Sequence, residues 1–365
     1  MFTTEGTEIA EQENRIRNIN RKERKECKKR NRICRDNPLW LPFRLITMIT
    51  QEENDLLTQT GKGTPCGELM RRYWQPAALS GELLADKPLP VQLFGEELIL
   101  FRDGDGKPAL IGRYCAHQGV DMVYGRVEPD GLRCMYHGWL FDNCGKVVLR
   151  GDWLPEKERR WDVGHSAYSC IEAGGVILTY MGPGNAPAAP NFSFLVNSSK
   201  DLVVVRATVE SNYLSAIESF DDPTGVSNVE ATEGGLRIGA MSRFDEDRRR
   251  VQIQSFILPH LVATASPRAR GGQLVSWQVP IDDRSHSRYL FNLYRKNVQG
   301  RVEPLILPTE ANEATRQLLL TNIRELAEGR EIKPAKASLL MTLSDIVDSR
   351  VKLRTSGTKR RKAKS

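Results

Sequence analysis

The sequence predicts an α+β chain in which a compact antiparallel β domain precedes a second domain that mixes strands with helices. Three observations carry this. Short β-rich runs separated by turn clusters fill residues 91–181. A stretch rich in Pro, Gly and Ala, MGPGNAPAAPNF (181–192), then breaks the pattern as an interdomain linker would. Beyond it, strand-like runs end in a long amphipathic helical segment.

Taken in order, residues 1–47 are polar and highly charged, which predicts a basic, disordered extension. From Met48 the chain alternates helical patterning with Gly/Pro punctuation, and TPCGE around Cys66 reads as a turn. The runs VQLFG, LILFRD, PALIGRY, LRCMYHGWLF, KVVL and GVILTYM read as strands, with DGDGK (103–107) and DNCGK (142–146) as turns between them. Cys144 falls in the second of these turns and Cys170 in a strand. After the linker, LVVVRATVE predicts a strand leading into a helix at SNYLSAIESF. Four more strands follow at LRIGAMSRF, RVQIQSFIL, QLVSWQVPI and RYLFNLYRK. Thr309 opens the helix TEANEATRQLLLTNIRELAEG, and Gly329 stops it. The predicted division is 48–190 for the first domain, 191–349 for the second, and 350–365 for a basic tail.

Composition excludes several classes. At 40% hydrophobic residues the chain is an ordinary globular sequence, and no apolar run reaches the eighteen residues of a membrane span. The N-terminus lacks the basic-then-apolar order of a secretory signal and carries Glu5, Glu8, Glu11 and Glu13, so a cytoplasmic location is expected. The net charge of +7 belongs to the ends: residues 1–47 carry +5, residues 350–365 carry +8, and the remainder carries −6. Neither basic segment interleaves aromatics for base stacking, so no nucleic-acid partner is expected. Seven cysteines in a chain of this length do not form a disulfide scaffold.

Two boxes carry chemistry: CAH at 115–117 and CMYHGW at 134–139, with sixteen residues between His117 and Cys134. Each supplies one thiolate and one imidazole. If two neighbouring hairpin loops face each other, Cys115 and Cys134 can take one iron and His117 and His137 the other. That is the ligation of a Rieske 2Fe–2S centre. Structural zinc sites of composition Cys2His2 pair Cys with Cys and His with His, whereas both boxes here are mixed, which argues against zinc. Gly119 and Gly138 follow the histidines, where close backbone approach to a cluster would favour small residues. The other histidines, His165, His260 and His286, show no ligand spacing and read as surface or locally bonded side chains; His260 has the best rival claim among them.

The run GRYCAHQGVDMVYGRVEPDGLRCMYHGWLFDNCGKVV resembles the Rieske domain of aromatic ring-hydroxylating oxygenase α subunits, with the phthalate and phenoxybenzoate dioxygenase branch nearest. MITQEENDLLTQTGKGTPCGELMRRYWQPAALS resembles the opening of those proteins and HSAYSCIEAGGVILTYMGP their exit from the Rieske domain, so Met48 is the expected natural start. The resemblance implies a helix-grip-like α+β oxygenase domain in the second half, incomplete at its end. Val120 and Tyr136 stand where respiratory-chain Rieske proteins form a disulfide, and Trp139 stands where they place a serine that donates to the cluster. Fewer donors imply a low potential.

In that family a mononuclear Fe(II), held by two His and a carboxylate, activates O2 in the second domain. The family's helix, N-[WY]-x4-E-x3-D-x2-H-x4-H, is followed here through Asn212, Glu218 and Asp222. The iron-binding histidines fall at Gly225 and Glu230; Glu230 retains one oxygen ligand, and Gly225 retains none. Asp222 matches the residue that bridges a cluster histidine and an iron histidine across a subunit boundary. The resemblance further implies an NAD(P)H-dependent flavin or iron–sulfur reductase as partner, an aromatic small molecule as substrate, and a homotrimer or mixed oligomer. The expected function is that of an α-subunit homologue whose own hydroxylation is impaired; the alternative is a non-catalytic electron-transfer or assembly partner of an intact α subunit.

Overall fold

In the computed structural model, residues 49–149, 164–196, 202–218, 224–232, 235–245, 248–265, 273–292 and 309–331 are described. The opening pair of helices follows from their caps. Helix α1 (Gln51–Thr58) starts at Thr50, whose hydroxyl accepts from the Glu53 N–H while the Glu53 carboxylate accepts from the Thr50 N–H. Helix α2 (Pro65–Arg71) starts at Thr64 with Pro65 in its first turn. Cys66 therefore lies in a helix, not the turn its Gly/Pro-rich surroundings predict, because Thr-Pro is also a helix-start signal.

A six-stranded antiparallel sheet is ordered β1 (Trp74–Leu79), β10 (Val176–Tyr180), β9 (Ala167–Ala173), β4 (Pro108–Gly112), β3 (Glu96–Arg102) and β2 (Leu89–Leu93). The run LILF on β3 is continuously apolar because both of its faces are covered. Leu98 and Leu100 join the main core, while Ile99 and Phe101 join a second, smaller one. On β4 the split repeats, with Leu110 on the main side and Ala109 and Ile111 on the other. The smaller core also takes Cys115, Met122, Leu132, Cys134, Trp139 and Phe141. It lies against a small sheet, β5 (Arg126–Glu128), β6 (Gly131–Arg133), β7 (Leu140–Phe141) and β8 (Val147–Leu149).

The second sheet has seven antiparallel strands in the order β11 (Val203–Val209), β17 (His286–Asn292), β16 (Gln273–Pro280), β15 (Leu261–Ala265), β14 (Arg248–Ile257), β13 (Gly235–Asp245) and β12 (Thr224–Thr232). The sequence patterns miss β12 and β15, one because the resemblance places a helix there, the other because LVATA is short. Helix α3 (Ser193–Val196) follows the Pro-rich stretch, and α4 (Tyr213–Ile217) connects β11 to β12. Helix α5 (Thr309–Ala327) buries Leu319, Leu320 and Ile323 and packs against α1, α2, β12 and β13. It ends as predicted, with Gly329 at φ +75° and the Arg330 N–H donating back to the Glu325 carbonyl. Glu218, at the end of α4, accepts two hydrogen bonds from Arg316 of α5 at 2.5 and 2.7 Å.

The main core runs from Leu57 of α1 to Ile323 of α5, taking residues from both sheets, and the described residues from Thr50 onward fall in one unit. Among the described residues no helix is long and apolar enough to cross a membrane.

Candidate metal centre

Two loops leave the strands beside the smaller core, one between β4 and β5, the other between β6 and β7. They close in the same way. In the first, the Cys115 N–H donates to the Val120 carbonyl at 2.8 Å and the Gly119 N–H donates to the Cys115 carbonyl at 2.7 Å. In the second, the Cys134 N–H donates to the Trp139 carbonyl at 2.8 Å and the Gly138 N–H donates to the Cys134 carbonyl at 3.1 Å. Each ring thus runs from a Cys to the fifth residue on, with a Gly at the fourth. Gly119 and Gly138 have φ of +72° and +68°, the left-handed conformation that side-chain-bearing residues avoid. That conformation by itself requires glycine at both positions. An ideal Cβ at Gly119 would meet nothing within 4 Å.

The four predicted ligands meet between these loops, paired by element. Cys115 and Cys134 are buried, 4% and 2% exposed, and belong to the same small core. Nδ1 of His137 lies 3.0 Å from Nδ1 of His117. Two imidazole–metal bonds of about 2.1 Å, opened by roughly 90–110°, separate their nitrogens by about 3.0–3.4 Å, so this spacing fits both rings on one metal. Among the described residues no three His, Cys, Asp or Glu side chains converge to hold a single ion. A two-and-two division of sulfur and nitrogen is the donor set that a 2Fe–2S centre of mixed ligation takes.

The thiols share their remaining proton unequally. Cys134 is pushed down to about 5, first by the hydrogen bond from Cys115 and then, against the cost of burial, by the N–H groups of Tyr136 and His137. Cys115 is raised, by that same bond and by burial. The shift of Cys134 is towards the thiolate, the form that binds metal.

Ion pairs brace both loops from outside. Arg133 donates to the Gly138 carbonyl at 2.6 Å and grips Glu128 through two more bonds of 2.6 Å. Hydrogen bonding from Arg133, then Arg126, holds the Glu128 carboxyl down at about 2. Arg113 grips Asp121 at the other loop, and its guanidinium holds that carboxyl below its ordinary range. Sequence reasoning missed these residues; the signal available was the shared Cys-x3-Gly ring, with an Arg beside each Cys box.

The rings around the histidines are unequal. Trp139, fully buried, stacks on His117 with centroids 4.4 Å apart and planes 10° from parallel. Tyr136, 61% exposed, lies tilted against His137 at 3.9 Å.

The other candidates lie elsewhere. Asp222 falls outside the described residues. Helix α4 ends at Ile217, and Gly225 and Glu230 lie on strand β12, opposite Met241 and Arg237 of β13. The helix implied by the resemblance therefore does not extend to these two positions. His165 packs edge-on against Phe141, and burial pushes it down to about 4. His286 is buried, its Nδ1 donating to the Ser211 carbonyl at 2.7 Å, which is the local bonding expected. His260 departs from expectation. It is neither on the surface nor locally bonded through its ring: it is 0% exposed, and neither ring nitrogen meets a hydrogen-bond partner among the described residues.

Comparison with known proteins agrees with this geometry. Residues 73–153 match the Rieske [2Fe-2S] domain family. The chain is a Rieske-domain protein. It is 37% identical over 201 residues to the phthalate 4,5-dioxygenase oxygenase subunit of Pseudomonas putida, covering 51% of this chain and 46% of that one. It is 37% identical over 179 residues to the 5,5'-dehydrodivanillate O-demethylase oxygenase subunit of a Sphingobium species, covering 48% and 42%. With the phenoxybenzoate dioxygenase subunit alpha of Ectopseudomonas oleovorans it shares 31% over 274 residues, covering 64% and 66%. The Rieske-domain chain spans about half the length of the first two relatives. Its fold is similar to that of dicamba monooxygenase, with a TM-score of 0.53 over 80% of this chain and 99% of the other at 18% identity. The α+β class and the kinship with aromatic dioxygenase oxygenase subunits read from the sequence are thereby borne out.

Proposed function

We propose that Cys115, His117, Cys134 and His137 hold a 2Fe–2S cluster, sulfurs on one iron and imidazoles on the other, within a Rieske domain spanning 48–190. The observation that carries this is the two-and-two pairing: both sulfurs buried in the same small core, and facing Nδ1 atoms 3.0 Å apart. Bound there, the cluster would supply one-electron storage at low potential. The chain's own part is to favour the thiolate of Cys134, fix both imidazoles, and brace the loops through Arg133 and Arg113.

The reading extends to an α-subunit homologue in the manner of the oxygenase subunits above, taking NAD(P)H-derived electrons from a reductase and acting, in an intact relative, on an aromatic compound. For this chain hydroxylation is expected to be absent or severely impaired. What supports this is that Gly225 and Glu230 replace the two histidines of the family motif, and that both lie on a strand beyond the end of α4. The second domain, 191–349, then serves as a scaffold, alone or in an oligomer with an intact α subunit.

Iron quantitation with electron paramagnetic resonance (EPR), before and after reduction, tests both parts. About two irons per chain are expected, with a Rieske signal appearing only on reduction. About three irons per chain, together with NADH-coupled product formation when a reductase is added, would overturn the second part.

A further inference from the structure

The four ligand side chains do not explain why the chain buries a tryptophan completely beside the two loops. Trp139 belongs to the second loop, yet its indole covers His117 of the first, nearly parallel at 4.4 Å. Its backbone is tied to a ligand residue, since the Trp139 carbonyl accepts the Cys134 N–H. The indole also packs against Phe141 and is completely shielded from solvent. Among the described residues, the ring beside His137 is Tyr136, which comes from its own loop, is tilted by 37° and is mostly exposed.

We propose that Trp139 is a positioning residue for His117, fixing the plane of that imidazole across the loop gap and holding the reduction potential of the centre down. This rests on the ligand reading above and deepens it. The sign follows from charge. An aromatic face is the negative part of the ring quadrupole, so it favours a neighbour that carries positive charge. An imidazole bonded to ferric iron is more positive than one bonded to ferrous iron, so the stack favours the oxidised state. The dry surroundings act the same way, because the reduced state carries one more negative charge. A stack at the weak end of cation–π strength shifts the reduction equilibrium by about threefold. At 59 mV per tenfold for one electron, that is about 30 mV. This effect is distinct from the missing serine donor, and it places the determinant on one histidine only.

The test uses the full chain with Trp139→Phe, Trp139→Leu and Tyr136→Leu. Iron per chain gives occupancy, an EPR-monitored redox titration gives the potential, and pulsed EPR gives the hyperfine couplings of the two ligand nitrogens. The expected result is a potential about 30 mV higher in Trp139→Leu, a smaller rise in Trp139→Phe, and a change in one nitrogen coupling with the other unmoved. Tyr136→Leu should shift the potential less than Trp139→Leu does. If Trp139→Leu holds no iron, Trp139→Phe decides: a raised potential supports the assignment, and a wild-type potential overturns it. Loaded variants with wild-type potential and unchanged couplings would reduce Trp139 to packing alone and sink the inference. A wild-type protein with iron but no Rieske signal would instead remove the ligand reading itself.

Discussion

Acidification should weaken this protein through a residue outside the metal centre. His260 is fully buried, and desolvation pushes it down to about 3, with the charge of neighbouring His286 acting in the same direction. The ordinary value of a histidine is about 6.5. The folded pKa of this base is therefore depressed: below pH 6.5 the unfolded chain binds a proton that the folded chain refuses. The stability associated with the neutral ring is complete above pH 6.5 and is lost progressively as the pH falls towards 3. Each pH unit in that window costs about 1.4 kcal/mol, so the loss from His260 at pH 5 is about 2 kcal/mol. The perturbation that isolates it is His260→Leu, which keeps the site filled and removes the titration. Urea unfolding of both proteins at pH 7.5, 6 and 5 supplies the measurement. The stability difference between variant and wild type should move in favour of the variant by about 2 kcal/mol between pH 7.5 and pH 5. Carboxylates and His165 titrate alike in both proteins and cancel. Parallel pH profiles for the two would refute the argument, because they would mean that His260 is protonated, or reached by water, in the folded state.

Three further outcomes follow from the loops and helices. Replacing Gly138 with Ala should cost about 1–2 kcal/mol, the penalty of a left-handed residue, and reduce iron retention after dialysis against a chelator; Gly119→Ala should behave alike, while Gly81→Ala, at an exposed glycine outside the left-handed region, should leave iron content unchanged. Arg133→Met leaves the Gly138 carbonyl and Glu128 without their shared donor, so a loss of about 1–3 kcal/mol in chemical unfolding is expected, together with faster iron release. Glu218→Gln weakens the bidentate grip on Arg316 that ties α4 to α5; the expected loss is about 1–3 kcal/mol, read as a lower unfolding midpoint with the Rieske signal intact.

The meeting of the two Cys/His boxes was the most legible part of the chain, because ligand chemistry restricts both residue type and spacing and mixed boxes allow few alternatives. Strands β3, β4 and β10 were legible for a similar reason, since LILF, PALIG and VILTY are too apolar and too short for anything but covered strands, whereas WQPAAL of β1 was hidden in a stretch of helical patterning. Cys66 was misread because a Thr-Pro pair begins a helix as readily as a turn, and local composition does not distinguish the two. Strand β12 was hidden by resemblance: TGVSNVEAT is β-branched enough to predict a strand, but the aligned motif pointed to a helix. His260 could not have been placed from sequence at all. Its burial depends on the β14–β15 turn folding beneath Tyr213, a contact across 47 positions of chain. Arg133 and Arg113 were visible next to the boxes, but an Arg at the end of a strand carries no mark of the carbonyl or carboxylate it will reach.

The two faces of β3 and β4 feed two separate cores, and only the smaller one touches Cys115 and Cys134. Two cores that share a sheet predict that the smaller one opens as a sub-global unit of its own. Stripping the metal should register as faster amide hydrogen exchange across 113–141, with the protection of β16, β17 and α5 unchanged. Oxidative damage at the centre would then leave a folded platform onto which the loops can close again, so repair would require reassembly of one small unit and not refolding of the whole chain.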